Sequence, residues 1–192
     1  MRKSRAILCR NLARSPRGQE IAEAALVLPL LLAVVMAIFW FGQAFRVYGT
    51  LAHGTRAGAE AAVAPACTTC TATTPATNAQ AAVYNSLSAA HLDKNQLVPW
   101  GGRWTAPLLC TCGTVSAPSS CRNPVACDGS VTDVCVQKNV QLSYTSQGGM
   151  GTCGTSVSAR YQYPYHFSIP LTNLDLGNVL LPGQAQMRSE TQ

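Results

Sequence analysis

The strongest constraint on this chain is an uncharged, almost wholly apolar run from Ala24 to Phe41. Its 18 residues make a helix of roughly 27 Å at about 1.5 Å per residue. Carried past Gly42 and Gln43 to Phe45, the run is long enough to cross the hydrocarbon core of a bilayer. Helices of soluble proteins rarely lack a polar face over such a length. An ordinary secretory signal has a shorter apolar region of roughly 7–15 residues, and here the small residues Ala62-Val63-Ala64 follow about twenty residues too late for cleavage. The expectation is a transmembrane helix over about 24–45.

The flanks orient that helix. Six bases precede it (Arg2, Lys3, Arg5, Arg10, Arg14 and Arg17), with no acid among the first 18 residues. The rest of the chain carries eight Lys/Arg and eight Asp/Glu, so the formal charge of +6 is local to the N-terminus. A short basic flank is not a charged stripe over a folded face, and nucleic acid is excluded as a partner on that ground. Clustered Lys/Arg stay on the cytoplasmic side of a membrane segment. The N-terminus then faces the cytoplasm and everything after Arg46 lies outside it.

Cysteine usage agrees. Of nine cysteines, Cys9 alone lies on the cytoplasmic side. The other eight, Cys67, Cys70, Cys110, Cys112, Cys121, Cys127, Cys135 and Cys153, lie beyond the membrane segment. Their density and one-sided distribution point to disulfides in an oxidising compartment. Their connectivity is open among about 105 possibilities.

Two residues break the pattern of the span. Pro29 removes a backbone hydrogen bond to the carbonyl of Ala25 and is expected to kink the helix. It is either a tolerated kink or a point where the helix bends on packing with others. Glu23 stands at the mouth of the run, where a carboxylate needs either the headgroups or a partner.

The segment Gly18, Gln19-Glu20-Ile21-Ala22-Glu23 resembles a prepilin peptidase recognition site: a glycine, a cleavage point, and glutamate at mature position five. Glu23-Ala-Ala-Leu-Val-Leu-Pro-Leu-Leu-Leu, Phe41-Gly42 and Thr55-Arg56-Ala57-Gly58-Ala59 resemble the TadE-like and TadG-like proteins. These are pseudopilins or minor pilins of the tight-adherence (Flp, type IVb) pilus system. The likeness is specific over about residues 16–64, and Gln186-Met187-Arg188-Ser189-Glu190 is similar to the end of such chains. Ala24 stands where these families often carry an aromatic, and Gln19 where ordinary type IV pilins start on a hydrophobic residue. The resemblance implies cleavage after Gly18, which exposes the α-amino group of Gln19. Glu23 would pair with that amine on a neighbouring subunit and so set their register. It further implies the prepilin peptidase, other pilins or pseudopilins, the inner-membrane assembly platform and membrane lipid as partners. The implied location is the bacterial inner membrane or the pilus, with the C-terminal domain periplasmic or extracellular.

Beyond Arg46 the helix should continue to Ala64. Arg46, His53, Arg56 and Glu60 share one face, and Tyr48, Ala52, Ala59 and Val63 another. Gly54 and Gly58, four apart, either permit a close helix approach or merely loosen the helix. Pro65 should end it, and Cys67 to Thr77 reads as Thr-rich loop. Asn78 to Leu92 reads as a second helix, with Ala81, Ala82, Tyr84, Leu87, Ala90 and His91 among its contacts. Residues 99–130, rich in Pro, Gly, Ser and Cys, read as loops stapled by disulfides. Val134, Val136, Lys138, Val140, Leu142 and Tyr144 alternate with more polar residues, the signature of a strand. Val157, Ala159, Tyr161 and Tyr163 repeat the pattern. The glycine-rich link from Gln147 to Gly154 suggests an antiparallel hairpin.

Signals for chemistry are thin. Cys67-x-x-Cys70 lies in loop after a helix, not at a helix start after a strand, as a redox pair would. Cys110-x-Cys112 is too tight to complete a zinc site. His53, His91 and His166 share no ligand spacing. Gly148-Gly149-Met150-Gly151 lacks the lysine and helix of a phosphate loop. The reading is therefore not an enzyme, with neither cofactor nor metal. The expected fold class is α+β: a long N-terminal helix, transmembrane then stalk, and a small disulfide-rich domain with an antiparallel sheet. The expected divisions are a basic leader at 1–18, the helix at 19–64 and the cysteine-rich domain at 65–192. The alternatives are an uncleaved, signal-anchored binding module and a periplasmic thiol enzyme using Cys67 and Cys70.

Overall fold

A computed structural model describes residues 16–63, 74–102, 104–112, 123–142, 152–169 and 172–188; for 16–19, 165–169 and 172–176 it describes the backbone alone. The expectations for the basic leader, Pro65, the Thr-rich loop with Cys67 and Cys70, Cys121 and most of the glycine-rich link lie outside these residues. The chain forms two compact units, 1–45 and 46–192. One helix, α1 (Pro16–Val63), runs through both stretches of sequence. The class is α+β, as expected.

In the second unit, the stretch of α1 from Arg46 packs on α2 (Pro75–Ala89) and on a three-stranded sheet. Thr74 starts α2 because its hydroxyl accepts from the amide of Thr77 and Pro75 takes the first turn, where a missing N–H costs nothing. The helix stops where His91 adopts φ 58°. The amide of Leu92 then reaches the carbonyl of Leu87 (2.9 Å) and that of His91 the carbonyl of Ser88 (3.0 Å), which satisfies the orphaned carbonyls of the last turn. The helix therefore begins and ends earlier than its apolar pattern suggested. Its buried side is Ala76, Ala79, Val83 and Leu87; Ala81 and His91 are exposed. A short 3₁₀ turn, Lys94–Gln96, capped by the Asp93 carboxylate, follows.

The main sheet has the order β3-β4-β5, all antiparallel, with β3 at Val134–Gln141, β4 at Cys153–Ile169 and β5 at Thr172–Arg188. The expected hairpin of β3 and β4 is present. Its alternation is interrupted at Lys138–Asn139, where Gln137 pairs with Ser156 and Val140 with Gly154. Two residues thus face one, a β-bulge, and Asn139 supplies the positive φ of 54°. Val140 is carried to the face of Cys135 and Gln137, away from Val134 and Val136. The bulge also frees Lys138 to meet Asp128 at 3.3 Å and the carbonyl of Asn139 to accept from Cys112 at 2.8 Å.

The core lies between the sheet and the two helices. Val134, Val136, Val157, Ala159 and Tyr161 of the sheet meet Val47, Leu51, Ala59 and Ala62 of α1 and Ala79, Val83 and Leu87 of α2. Leu51, Val83 and Leu87 are fully buried; burying each such side chain contributes about 1.5–3 kcal/mol. The opposite face of the sheet is covered by a small pair, β1 (Leu109–Cys110) with β2 (Pro124–Val125), and by Val98 and Trp104 packed on the disulfide between Cys127 and Cys135. The side-chain amide of Gln137 donates to the Val125 carbonyl and ties β2 to β3. The Trp104 indole donates to the Val98 carbonyl (2.8 Å), and the Arg160 guanidinium lies over its ring at 5.0 Å.

Candidate functional site

Gly18, Gln19, Glu23 and Pro29 all fall on α1. A helix advances about 3.6 residues per turn, so Gln19 and Glu23 lie one turn apart on the same side. The Glu23 side chain is exposed. Pro29 is accommodated without ending the helix, which continues unbroken to Val63.

Along this stretch the usual rule of burial is reversed. Ile21, Leu26, Leu28, Leu30, Ile38, Phe41 and Phe45 are all exposed, Leu26 to 74% and Phe45 to 71%. Isolated exposed apolar residues are ordinary, but a continuous exposed apolar surface marks a region made for a non-aqueous partner. Among the described residues, one helical stretch, within Glu20–Val63, is long and apolar enough to cross a membrane. With only two acids before Arg46, at Glu20 and Glu23, polar cost in that surface is confined to its first turns.

Past Arg46 the helix changes character. Val47, Leu51, Gly54, Thr55, Gly58, Ala59 and Ala62 turn inward. Of Tyr48, Ala52, Ala59 and Val63, Ala59 is buried and Tyr48 is 48% exposed; the inward stripe runs through the glycines. A β-carbon on Gly54 would lie 3.2 Å from Cβ of Ser86, and one on Gly58 3.0 Å from Cγ2 of Val83. The two glycines therefore do bring helices together, within this chain. The opposite face carries Arg46, His53, Arg56 and Glu60, all exposed.

Of the disulfide candidates, Cys112 bonds Cys153 and Cys127 bonds Cys135. Cys110 is disulfide-bonded as well. The first bond ties Cys112, two residues past β1, to the start of β4, and the second closes a short loop onto β3. Both hold the covering layer to the sheet. Among the described residues there is no group of His, Cys, Asp and Glu fit to hold a metal ion.

Two polar clusters support the domain. The Tyr84 hydroxyl donates to Asp133 and accepts from Gln80 at 3.1 Å. Burial, together with the bond to the Asp133 carboxylate, pushes the phenol up to about 12. Amide and hydroxyl donation from Ser130, reinforced by Lys138, holds the Asp128 carboxyl below its usual range. Nothing in the local sequence pairs Tyr84 with Asp133, because the two are 49 residues apart.

The match to known proteins falls on the N-terminal helix. Residues 18–60 match the TadE-like protein family. The TadE-like segment begins at Gly18, includes Glu23 and Pro29, and extends through the two glycines that receive α2. No curated protein and no solved structure matches the chain. TadE-like proteins are structural, non-enzymatic components, and the match points this chain to the tight-adherence pilus system and to other components of that pilus as partners.

Proposed function

We propose that the chain is a minor pilin or pseudopilin acting in assembly of a tight-adherence (Flp, type IVb) pilus. The observation that carries this reading is the coincidence of the TadE-like match at 18–60 with a helix whose side chains are exposed all round from Glu20 to Met36 and are mostly apolar. Such a helix suits a lipid environment first and a bundle of like helices afterwards. The chain enters the inner membrane with its basic end in the cytoplasm. Prepilin peptidase cleaves after Gly18 and leaves Gln19 as the mature N-terminus.

The chemistry of Glu23 follows from that cleavage. Buried among apolar helices, an unpaired carboxylate and an unpaired ammonium each carry a desolvation cost of several kcal/mol. Bringing Glu23 of one subunit to the Gln19 amine of its neighbour offsets both costs at one axial position. The amine of one subunit and the carboxylate of the next meet at one axial position, so the pair selects register. The disulfide-stapled α+β unit then lies on the other side of the membrane from the basic end.

The deciding experiment is the N-terminus of the protein recovered from native membranes, read by mass spectrometry with a search for methylated or cyclised Gln19. A start at Gln19 supports the proposal. A start at Met1 overturns the processing step and favours a permanently anchored binding module, in which Glu23 is dispensable.

A further inference from the structure

The outer face of α1 past the membrane segment has a register of its own. Arg46, Gly49, His53, Arg56 and Glu60 are exposed and follow one another at alternating spacings of three and four, which places them on one straight stripe. All the charged residues of α1 from Arg46 onward lie on it. The opposite face is consumed by α2 and the sheet. Among the described residues the stripe makes no ion pair; the pair that does form joins Lys138 and Asp128 elsewhere.

We infer that this stripe docks a second copy of the chain, in parallel and shifted by four residues along the helix. Parallel orientation rests on the membrane-anchored reading, since two copies inserted with the same polarity cannot run antiparallel. The shift comes from complementarity. With no shift, Arg56 meets Arg56 and Glu60 meets Glu60, like charges opposed. With a shift of four residues, about 6 Å at 1.5 Å per residue, Glu60 of one copy meets Arg56 of the next. The same shift sets His53 of the first copy opposite Gly49 of the next, where a β-carbon would meet nothing within 4 Å. A bulky side chain thus faces the one gap in the stripe, and a small residue at that point lets the helices approach.

Oxidative cross-linking in native membranes tests the inference. Two differently tagged copies of the full chain carry Arg56→Cys and Glu60→Cys, with the unsubstituted chain as the blank for native cysteines. The expected product is the heterodimer joining positions 56 and 60, in excess over either homodimer. Dominant homodimers, equal yields of all three, or no dimer overturn it. Recovery of the chain outside the membrane fraction overturns the anchored reading and this inference together; an anchored chain without the heterodimer overturns the inference alone. Charge reversal separates pairing between copies from pairing within one helix. R56E or E60R alone should lower co-purification of tagged copies about two- to fivefold. The two variants mixed should restore it, because a mixed pair sets a glutamate against an arginine in either order. Failure of the mixture to restore it overturns the charge match.

Discussion

Gly58 of α1 sits against Val83 of α2 so closely that a β-carbon there would lie 3.0 Å from Val83 Cγ2 and 3.2 Å from the Ala79 carbonyl oxygen. The helix thus accepts a residue of poor helical propensity because nothing larger lets the second helix reach the core. Gly58→Leu should lower stability by about 1–3 kcal/mol, the usual cost of overpacking. The check is thermal or denaturant unfolding of the full chain in detergent, followed by circular dichroism. Gly49, with open space around it, is the control: Gly49→Ala should raise stability by about 0.5–1 kcal/mol.

Tyr84 and Asp133 give the second unit an alkaline limit. The phenol titrates near 12 in the folded chain, against 10.0 for an unperturbed tyrosine. A raised folded value means that the interaction is fully present below pH 10 and is lost as pH climbs from there toward 12. Tyr84→Phe should cost about 1 kcal/mol at neutral pH through the lost hydrogen bond. It should also flatten the fall in stability over that alkaline window. Stability measured against pH from 8 to 12, with phenolate absorbance as the titration readout, tests both.

The opposite sign holds at Asp128. Its folded value is depressed, chiefly by donation from Ser130, so its contribution is present above the ordinary carboxylate range and fades as pH falls through the lowered folded value. Asp128→Asn should remove that part of the acid dependence and leave stability above pH 6 changed by no more than about 1 kcal/mol, as befits a surface interaction. Acid unfolding curves of the two proteins should converge as the wild-type carboxylate protonates. A constant offset down to pH 2 would count against the assignment.

What was legible in the sequence depended on how local the signal was. The apolar helix through Ala24 to Phe41 is written in consecutive residues, and the family match at 18–60 covers it together with Gly18 and Glu23. The β3 and β4 alternation around Val134, Val136, Val157 and Ala159 was readable for the same reason. The bulge at Asn139 was not, because an asparagine in a strand does not announce a positive φ. β5 was hidden as a strand: Gly177, Pro182 and Gly183 interrupt its alternation. Gly183 is there because a β-carbon would lie 2.8 Å from Leu51 Cγ, a contact made across more than a hundred residues of chain. Disulfide pairing was illegible in principle, since spacing alone does not choose among partners.

Access to the two disulfides should differ. Cys112 and Cys153 are both partly exposed, whereas Cys135 is fully buried beside Trp104. Reduction proceeds by thiolate attack and needs a path to sulfur. Under graded reductant, alkylation followed by peptide mapping should find Cys112 and Cys153 labelled before Cys127 and Cys135. Replacing either pair by serine should cost about 2–4 kcal/mol. Simultaneous labelling of the four would mean that the covering layer opens as one piece with the sheet.

Glu23 carries the prediction that bears most directly on assembly. Its side chain lies at the start of an apolar surface that the chain itself does not cover. In a bilayer a single carboxylate near the interface is tolerated by reaching the headgroups, so Glu23→Ala should insert and fractionate with membranes as the native chain does. In a packed bundle the headgroups are out of reach, and the residue matters only if the mature Gln19 amine is its partner. Loss of the pair then leaves a buried ammonium uncompensated, a cost of about 3–5 kcal/mol, enough to lower incorporation by two orders of magnitude or more. Glu23→Gln should be nearly as severe, because an amide keeps the shape and a hydrogen-bond acceptor but not the charge. Piliation scored by microscopy, beside membrane content scored by immunoblot, separates the two steps. Normal piliation in Glu23→Ala would remove the register role while leaving the anchor intact.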